Sequence, residues 1–300
     1  LVGKLSAFVM SIMVWDDDDR LDEAGFRKHL RRIHQAGAST YIGSSGTGDG
    51  FSLTTDEWNQ VLEIAADEFC GRPGFRIMGC EPRTVHEVLR FIRLVEPYKP
   101  EALQVYTLDL GHAVKPTLEE LETYYDHVLG STDLPIVLSS FDSLGFSLPT
   151  ELIERLAERH GNLRGFLYGG RDTHYLSHVL HALKDRIEVH CAGPSNAMTT
   201  LALGGNGFMG HEGNLSPSLV AGLIDAFGRG DLPSCCALYS KLMKVYAMHV
   251  PHGGSSGRSM KPLLKALGLP SGRIRAPRTA ISAEVLEPII AETKLLDLSF

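Results

Sequence analysis

Cysteine is scarce in this chain of 300 residues, and nothing is built from it. The five thiols, Cys70, Cys80, Cys191, Cys235 and Cys236, are odd in number and show no C-x-x-C or zinc-ribbon spacing. That excludes a disulfide framework and a finger-type zinc site, and the thiols are expected to be reduced and mostly buried in a cytoplasmic protein. Long hydrophobic runs are also missing, so no segment is expected to span a membrane. The opening stretch LVGKLSAFVMSIMVWDDDD is apolar but broken by Lys4 and closed by four aspartates. It lacks a basic leader and a small-residue cleavage site, and reads as a buried first strand rather than a signal peptide. A strong excess of one charge is absent too, since 29 Lys+Arg stand against 36 Asp+Glu. This argues against nucleic acid or an anionic membrane surface as partner. Finally, no lysine occurs between Lys115 and Lys184.

What is present is alternation. Short apolar runs recur at Ser6–Val14, Thr40–Ser44, Phe75–Cys80, Ala102–Thr107, Ile136–Ser140, Gly165–Tyr168, Ile187–Cys191 and Gly207–Gly210, each followed by a stretch of helical period. Eight βα units predict a closed α/β barrel of the (β/α)8 TIM type over residues 1–225. Thr54-x-x-Glu57 and Thr117-x-x-Glu120 are capping boxes that mark helix starts. Phe26, Leu30 and Ile33 share one helix face, as do Leu118, Leu121, Tyr125 and Val128. After about residue 225 the strand runs stop, and Pro233–His249, Met260–Leu267 and Ala283–Leu296 read as a C-terminal helical domain over residues 226–300.

In such a barrel the residues just after each strand build the active site. One of these segments, Gly43-Ser-Ser-Gly-Thr-Gly-Asp-Gly50, offers much bare backbone before a helix. Amides there favour an anion, while the bland alternative is a turn whose glycines only allow close packing. A P-loop is excluded, because its lysine is absent.

The ordered set of phrases resembles the dihydrodipicolinate synthase / N-acetylneuraminate lyase family over nearly the whole chain. It comprises Ser45-Gly46-Thr47-Gly48-Asp49, Leu134-Pro135-Ile136-Val137-Leu138, Gly161-Asn162-Leu163-Arg164-Gly165, Leu203-Gly204-Gly205-Asn206-Gly207, Asn214-Leu215-Ser216-Pro217, and Lys261 with Ala266-Leu267-Gly268. The resemblance implies a barrel with a helical tail, a homo-oligomer (tetramer or dimer), and a substrate carboxylate held by Gly46, Thr47 and Gly48. It also implies a lysine at the end of the sixth strand that forms a Schiff base with a ketone, and a tyrosine after the fifth that relays protons. Here the lysine position holds Leu167 and the tyrosine position holds Ser139. Leucine has no nucleophile, so an imine at that position is excluded.

The expected function is therefore that of a divergent lyase, of aldolase or dehydratase type, acting on a small carboxylate-bearing oxo or hydroxy compound without the usual Schiff base. Tyr168, His211, Glu212 and His112 are the candidate acid–base groups. Ser139 and Arg171 are candidate substrate contacts, with Arg171 weighed against a structural ion pair with Asp172. No cofactor is expected, the option being a divalent metal on His112, His190 and His211 with Glu212 or Asp142. Two alternatives stand beside this reading: a catalytically inactive barrel that binds a ligand or stabilises a partner, and imine chemistry relocated to Lys115.

Overall fold

The computed structural model describes residues 4–70, 75–78, 83–142 and 145–300. Cys80, one of the five thiols, lies outside the described residues. Eight strands follow one another in chain order around a closed barrel: β1 (Ser6–Met10), β2 (Ser39–Ile42), β3 (Phe75–Met78), β4 (Leu103–Val105), β5 (Ile136–Ser140), β6 (Leu163–Tyr168), β7 (Glu188–Ala192) and β8 (Gly207–Gly210). Every predicted run overlaps its strand, although β2 begins one residue and β6 two residues before its run and β7 ends one residue after. Pairing is parallel, for example Val9↔Thr40 between β1 and β2, and Phe166↔Val189 between β6 and β7.

The helices form where their signals stand. In α1 (Glu23–Gln35), Asp22 accepts from the Gly25 amide at 3.0 Å, and Phe26, Leu30 and Ile33 are fully buried. The predicted boxes cap α2 (Thr55–Glu68) and α4 (Leu118–Leu129), and a third box, Thr84 with Glu87, caps α3 (Val85–Val95). Each such cap contributes about 1 kcal/mol. In α4, Leu121, Tyr125 and Val128 are buried as expected, but Leu118 is 48% exposed, because it stands in the first turn immediately after the cap. The thiols are also less uniformly buried than expected, since Cys70 and Cys236 are exposed while Cys191 and Cys235 are buried.

The chain divides into two compact units, one of Leu1–Leu5 with Arg76–Met209 and one of Ser6–Phe75 with Gly210–Phe300. The first holds most of β3 to β8 with α3, α4, α5 (Thr150–Arg159), α6 (Thr173–Leu183) and α7 (Ala197–Ala202). The second joins β1, β2, α1 and α2 to α8 (Pro217–Gly228), α9 (Leu232–His249), α10 (Met260–Ala266) and α11 (Ala283–Leu295). Here α9 packs along α8, and α10 against α11. No helix among the described residues is long and apolar enough to cross a membrane.

Candidate active site

In the first unit, the strand register decides which side chains face the barrel lumen. Arg76 on β3 donates to Glu188 on β7 at 2.7 Å, although these strands are four places apart in the barrel, so the two side chains meet in the interior. Arg164 closes on the same carboxylate at 3.0 Å. Side chains alternate along a strand, so His190 also faces inward. The register pairs Ser139↔Leu167 and Leu167↔His190. Leu167, at the position where the resemblance places a lysine, therefore sits in a lumen layer between Ser139 and His190, and is 1% exposed. Burial, with Arg76 and Arg164 below, holds His190 well under the ordinary imidazole range. Ser139 donates to the Val105 carbonyl at 3.2 Å.

Tyr168 falls on the opposite face. Its ring lies 4.9 Å from that of Tyr175 on α6, and its hydroxyl accepts from the Asp172 amide at 3.0 Å and donates to Asp142 at 3.3 Å. Asp142 also accepts from the Arg171 amide at 2.8 Å. Tyr168 thus pins the β6–α6 loop from the helix side. Asp172 caps α6 through the His174 and Tyr175 amides and makes no ion pair with Arg171, whose side chain is exposed. His112 and Lys115 are both exposed in the loop before α4, with His112 at φ 50°. A nucleophilic amine needs a desolvated site, and Lys115 has none.

The second unit holds the glycine turn. Gly43 adopts φ 81°, and a Cβ there would fall on the Trp58 ring; one at Gly46 would lie 2.7 Å from the Ser255 carbonyl. These glycines serve close packing, and several donors beside them are left unpaired. The Thr47 hydroxyl donates to Ser255 O at 2.6 Å and the Gly48 amide to Ser44 Oγ at 2.9 Å, which removes both groups from the expected cradle. The amides of Ser45, Gly46 and Thr47 keep no protein acceptor among the described residues, and the buried Ser45 hydroxyl has no partner. Three amides and a hydroxyl thus remain open at the end of β2.

Asp49 closes that turn at φ 53° and is 1% exposed. It accepts from Trp15 Nε1 at 2.7 Å and from Lys261 Nζ at 2.8 Å, and pairs with Arg278. Lys261, 2% exposed, also donates to Arg273 O at 3.1 Å. Burial presses its ammonium down to about 7. Sequence reasoning matched Lys261 to the family but missed this role. The available signal was a lysine set among buried Met260, Leu263 and Leu264.

After β8 comes a second buried carboxylate. Glu212 is 1% exposed, and neither oxygen has a hydrogen-bond partner among the described residues. The nearest charge partner is His211 Nδ1 at 3.3 Å from Oε1, off the axis of a hydrogen bond. Burial pushes the Glu212 carboxyl up to about 7 and the His211 imidazole down to about 4. A carboxyl that holds its proton and an imidazole that stays neutral form an acid–base pair whose environments drive the two groups apart. The His249 ring lies 5.7 Å from His211 and is held through Nδ1 by Ser259 Oγ at 2.7 Å. Asn214 fixes this turn to β1: its amide donates to Met10 O and His211 O, both at 2.8 Å, and its carbonyl oxygen meets the Ile12 amide at 3.1 Å and His29 Nε2 at 2.8 Å. Among the described residues no three metal-ligating side chains converge, so the ligand set drawn from His112, His190, His211, Glu212 and Asp142 is not assembled.

A parallel eight-stranded barrel with titratable groups and open amides just past its strands is the architecture of a barrel enzyme. A profile of the Dihydrodipicolinate synthetase family matches residues 111–294, and the chain belongs to that family. It is 22% identical over 284 residues to the 4-hydroxy-tetrahydrodipicolinate synthase of Methanopyrus kandleri, covering 94% of this chain and 93% of that protein. Its fold matches that of a monomeric dihydrodipicolinate synthase variant, with a TM-score of 0.89 at 17% identity and 98% coverage of each chain. It also matches YagE, a family member from E. coli K12 solved in complex with pyruvate, at a TM-score of 0.86 and 20% identity, over 98% of this chain and 99% of that one.

Proposed function

We propose that this chain is a lyase-type enzyme that acts on a small 2-oxo or hydroxy acid by acid–base chemistry, without an imine. The observation that carries the reading is the buried Glu212–His211 pair, which lies in the same compact unit as the open amides of Ser45, Gly46 and Thr47. The amides and the Ser45 hydroxyl would hold the carboxylate. His211, kept neutral, would take a proton from the carbon beside the carbonyl, and Glu212, kept protonated near neutrality, would deliver one to the developing oxyanion or departing hydroxyl. Leu167 leaves the sixth-strand position with nothing to form a covalent adduct. The expected homo-oligomer belongs to the same proposal, supported by Leu110, Val114 and Leu118, which are 44%, 55% and 48% exposed around a single loop. Sedimentation velocity measures that state directly.

The test uses pyruvate in deuterated buffer, with proton NMR following loss of the methyl protons. Exchange should proceed with the native chain and fall by about 10²-fold or more in Glu212→Gln. A borohydride-trapped mass adduct on Lys115 or any other lysine would overturn the non-imine mechanism. The inactive-barrel reading is favoured by one observation, that Phe141 lies against Gly169, the residue after β6, and stacks on Tyr106 at 5.5 Å. Binding of 2-oxo acids by calorimetry with no exchange in any of them would establish that reading instead.

A further inference from the structure

The first unit carries a histidine face on helix α6. Helix α6 reads Thr-His-Tyr-Leu-Ser-His-Val-Leu-His-Ala-Leu, with Leu176, Val179, Leu180 and Leu183 buried and His174, His178 and His181 exposed. Residues four apart on a helix are neighbours on its surface, and the His174 and His178 rings stand 4.7 Å apart between centroids, at 83° to one another. Neither imidazole makes a hydrogen bond among the described residues. Both line a groove of about 810 Å³ between α5 and α6, with Glu151 and Glu154 on its other wall. The one arginine in this groove, Arg186, is neutralised by Glu158 at 2.7 Å.

We propose that His174 and His178 form a binding site for a divalent transition-metal cation. Two exposed imidazoles one helical turn apart can turn about their side-chain bonds to chelate one cation, and imidazole is the ligand type that suits Zn²⁺, Ni²⁺ and Cu²⁺, with Cu²⁺ bound most tightly. The carboxylates across the groove supply favourable charge. No third ligating side chain already converges on the pair, so water completes the coordination and the site is an exchangeable one. His181 lines the same groove but stands seven residues, about two helical turns, from His174, so it cannot replace His178 in a pair with it.

The test is calorimetric titration of the full chain with Cu²⁺ and with Zn²⁺ at pH 7.5, with electron paramagnetic resonance of the Cu²⁺ form. One equivalent should bind, with nitrogen hyperfine coupling from two imidazoles. His174→Ala and His178→Ala should each weaken it by about tenfold or more, since loss of a ligand exceeds the cost of losing an outer-sphere partner, while His181→Ala should leave it within about threefold. Circular dichroism should be unchanged in all three, because these side chains are exposed. Binding that survives both His174→Ala and His178→Ala, or that is lost equally in His181→Ala, would overturn the assignment.

Discussion

Asp49 and Glu212 are equally buried carboxylates of one compact unit, each in the turn that follows a barrel strand, yet their surroundings are opposite. Asp49 meets an indole N–H, an ammonium and a guanidinium. Glu212 meets the His211 imidazole, and its carboxylate oxygens have no hydrogen-bond partner among the described residues. A buried charge with all its donors in place is architecture, because removing a partner costs more than the pair was worth. A buried carboxyl left without donors is costly to ionise, and its proton is held in reserve. The same side-chain chemistry thus separates into a clamp and an acid according to what faces it.

The largest expected effect concerns the uncharged company that Glu212 keeps. Burial holds His29 and His249 down to about 3 and His211 to about 4. As pH falls below about 6.5 the unfolded chain takes up protons that the folded chain refuses, so stability is lost. Glu212 opposes this between 7 and 4.5, where the folded state holds the extra proton. These four groups together give a loss of about 3 kcal/mol per pH unit across pH 6.5 to 4.5. Urea midpoints measured from pH 8 to 5 should show it, and a flat profile would contradict the burial of these imidazoles.

Next in size is the clamp. Lys261→Met should cost about 3–5 kcal/mol, because it strips a partner from buried Asp49, and the loss should appear in the unfolding midpoint at pH 7. Glu212→Gln should act with the opposite sign. The folded carboxyl titrates above its unfolded value, so its stability penalty is absent below pH 4.5, grows to pH 7 and is complete above. The glutamine variant should gain up to about 3 kcal/mol at pH 8 and nothing at pH 4. A variant that was both more stable and less active would mark Glu212 as kept for chemistry. If it were destabilised at pH 8, the contrast with Asp49 would collapse.

The smallest effect belongs to Tyr168→Phe. Loss of the hydroxyl that receives the Asp172 amide should cost about 1 kcal/mol and leave deuterium exchange within about threefold. A fall of about 10²-fold would restore Tyr168 to proton transfer.

Much of this architecture is legible in the chain. The eight runs, the capping boxes and the C-terminal helices are local signals, and each stands where its residues place it. The facing of Tyr168 was legible in principle: Leu167 occupies the lumen position, and its neighbour on a strand must point the other way. The Asp49–Lys261 pair is different in kind, because the partners lie 212 positions apart and no local pattern announces which buried lysine meets which aspartate. That the Thr47 hydroxyl and the Gly48 amide are engaged elsewhere was equally hidden, since their acceptors, Ser255 O and Ser44 Oγ, are set by how loops pack.

Leu167 keeps ordinary ladder pairing to β5 and β7, with Ser139 on one side and His190 on the other. The backbone that would present an amine to the lumen is therefore in place, and only the side chain is wanting. Under the imine-free mechanism proposed above, Leu167→Lys is a change of tool in an unaltered holder, and the His190 imidazole is what the new amine would find beside it.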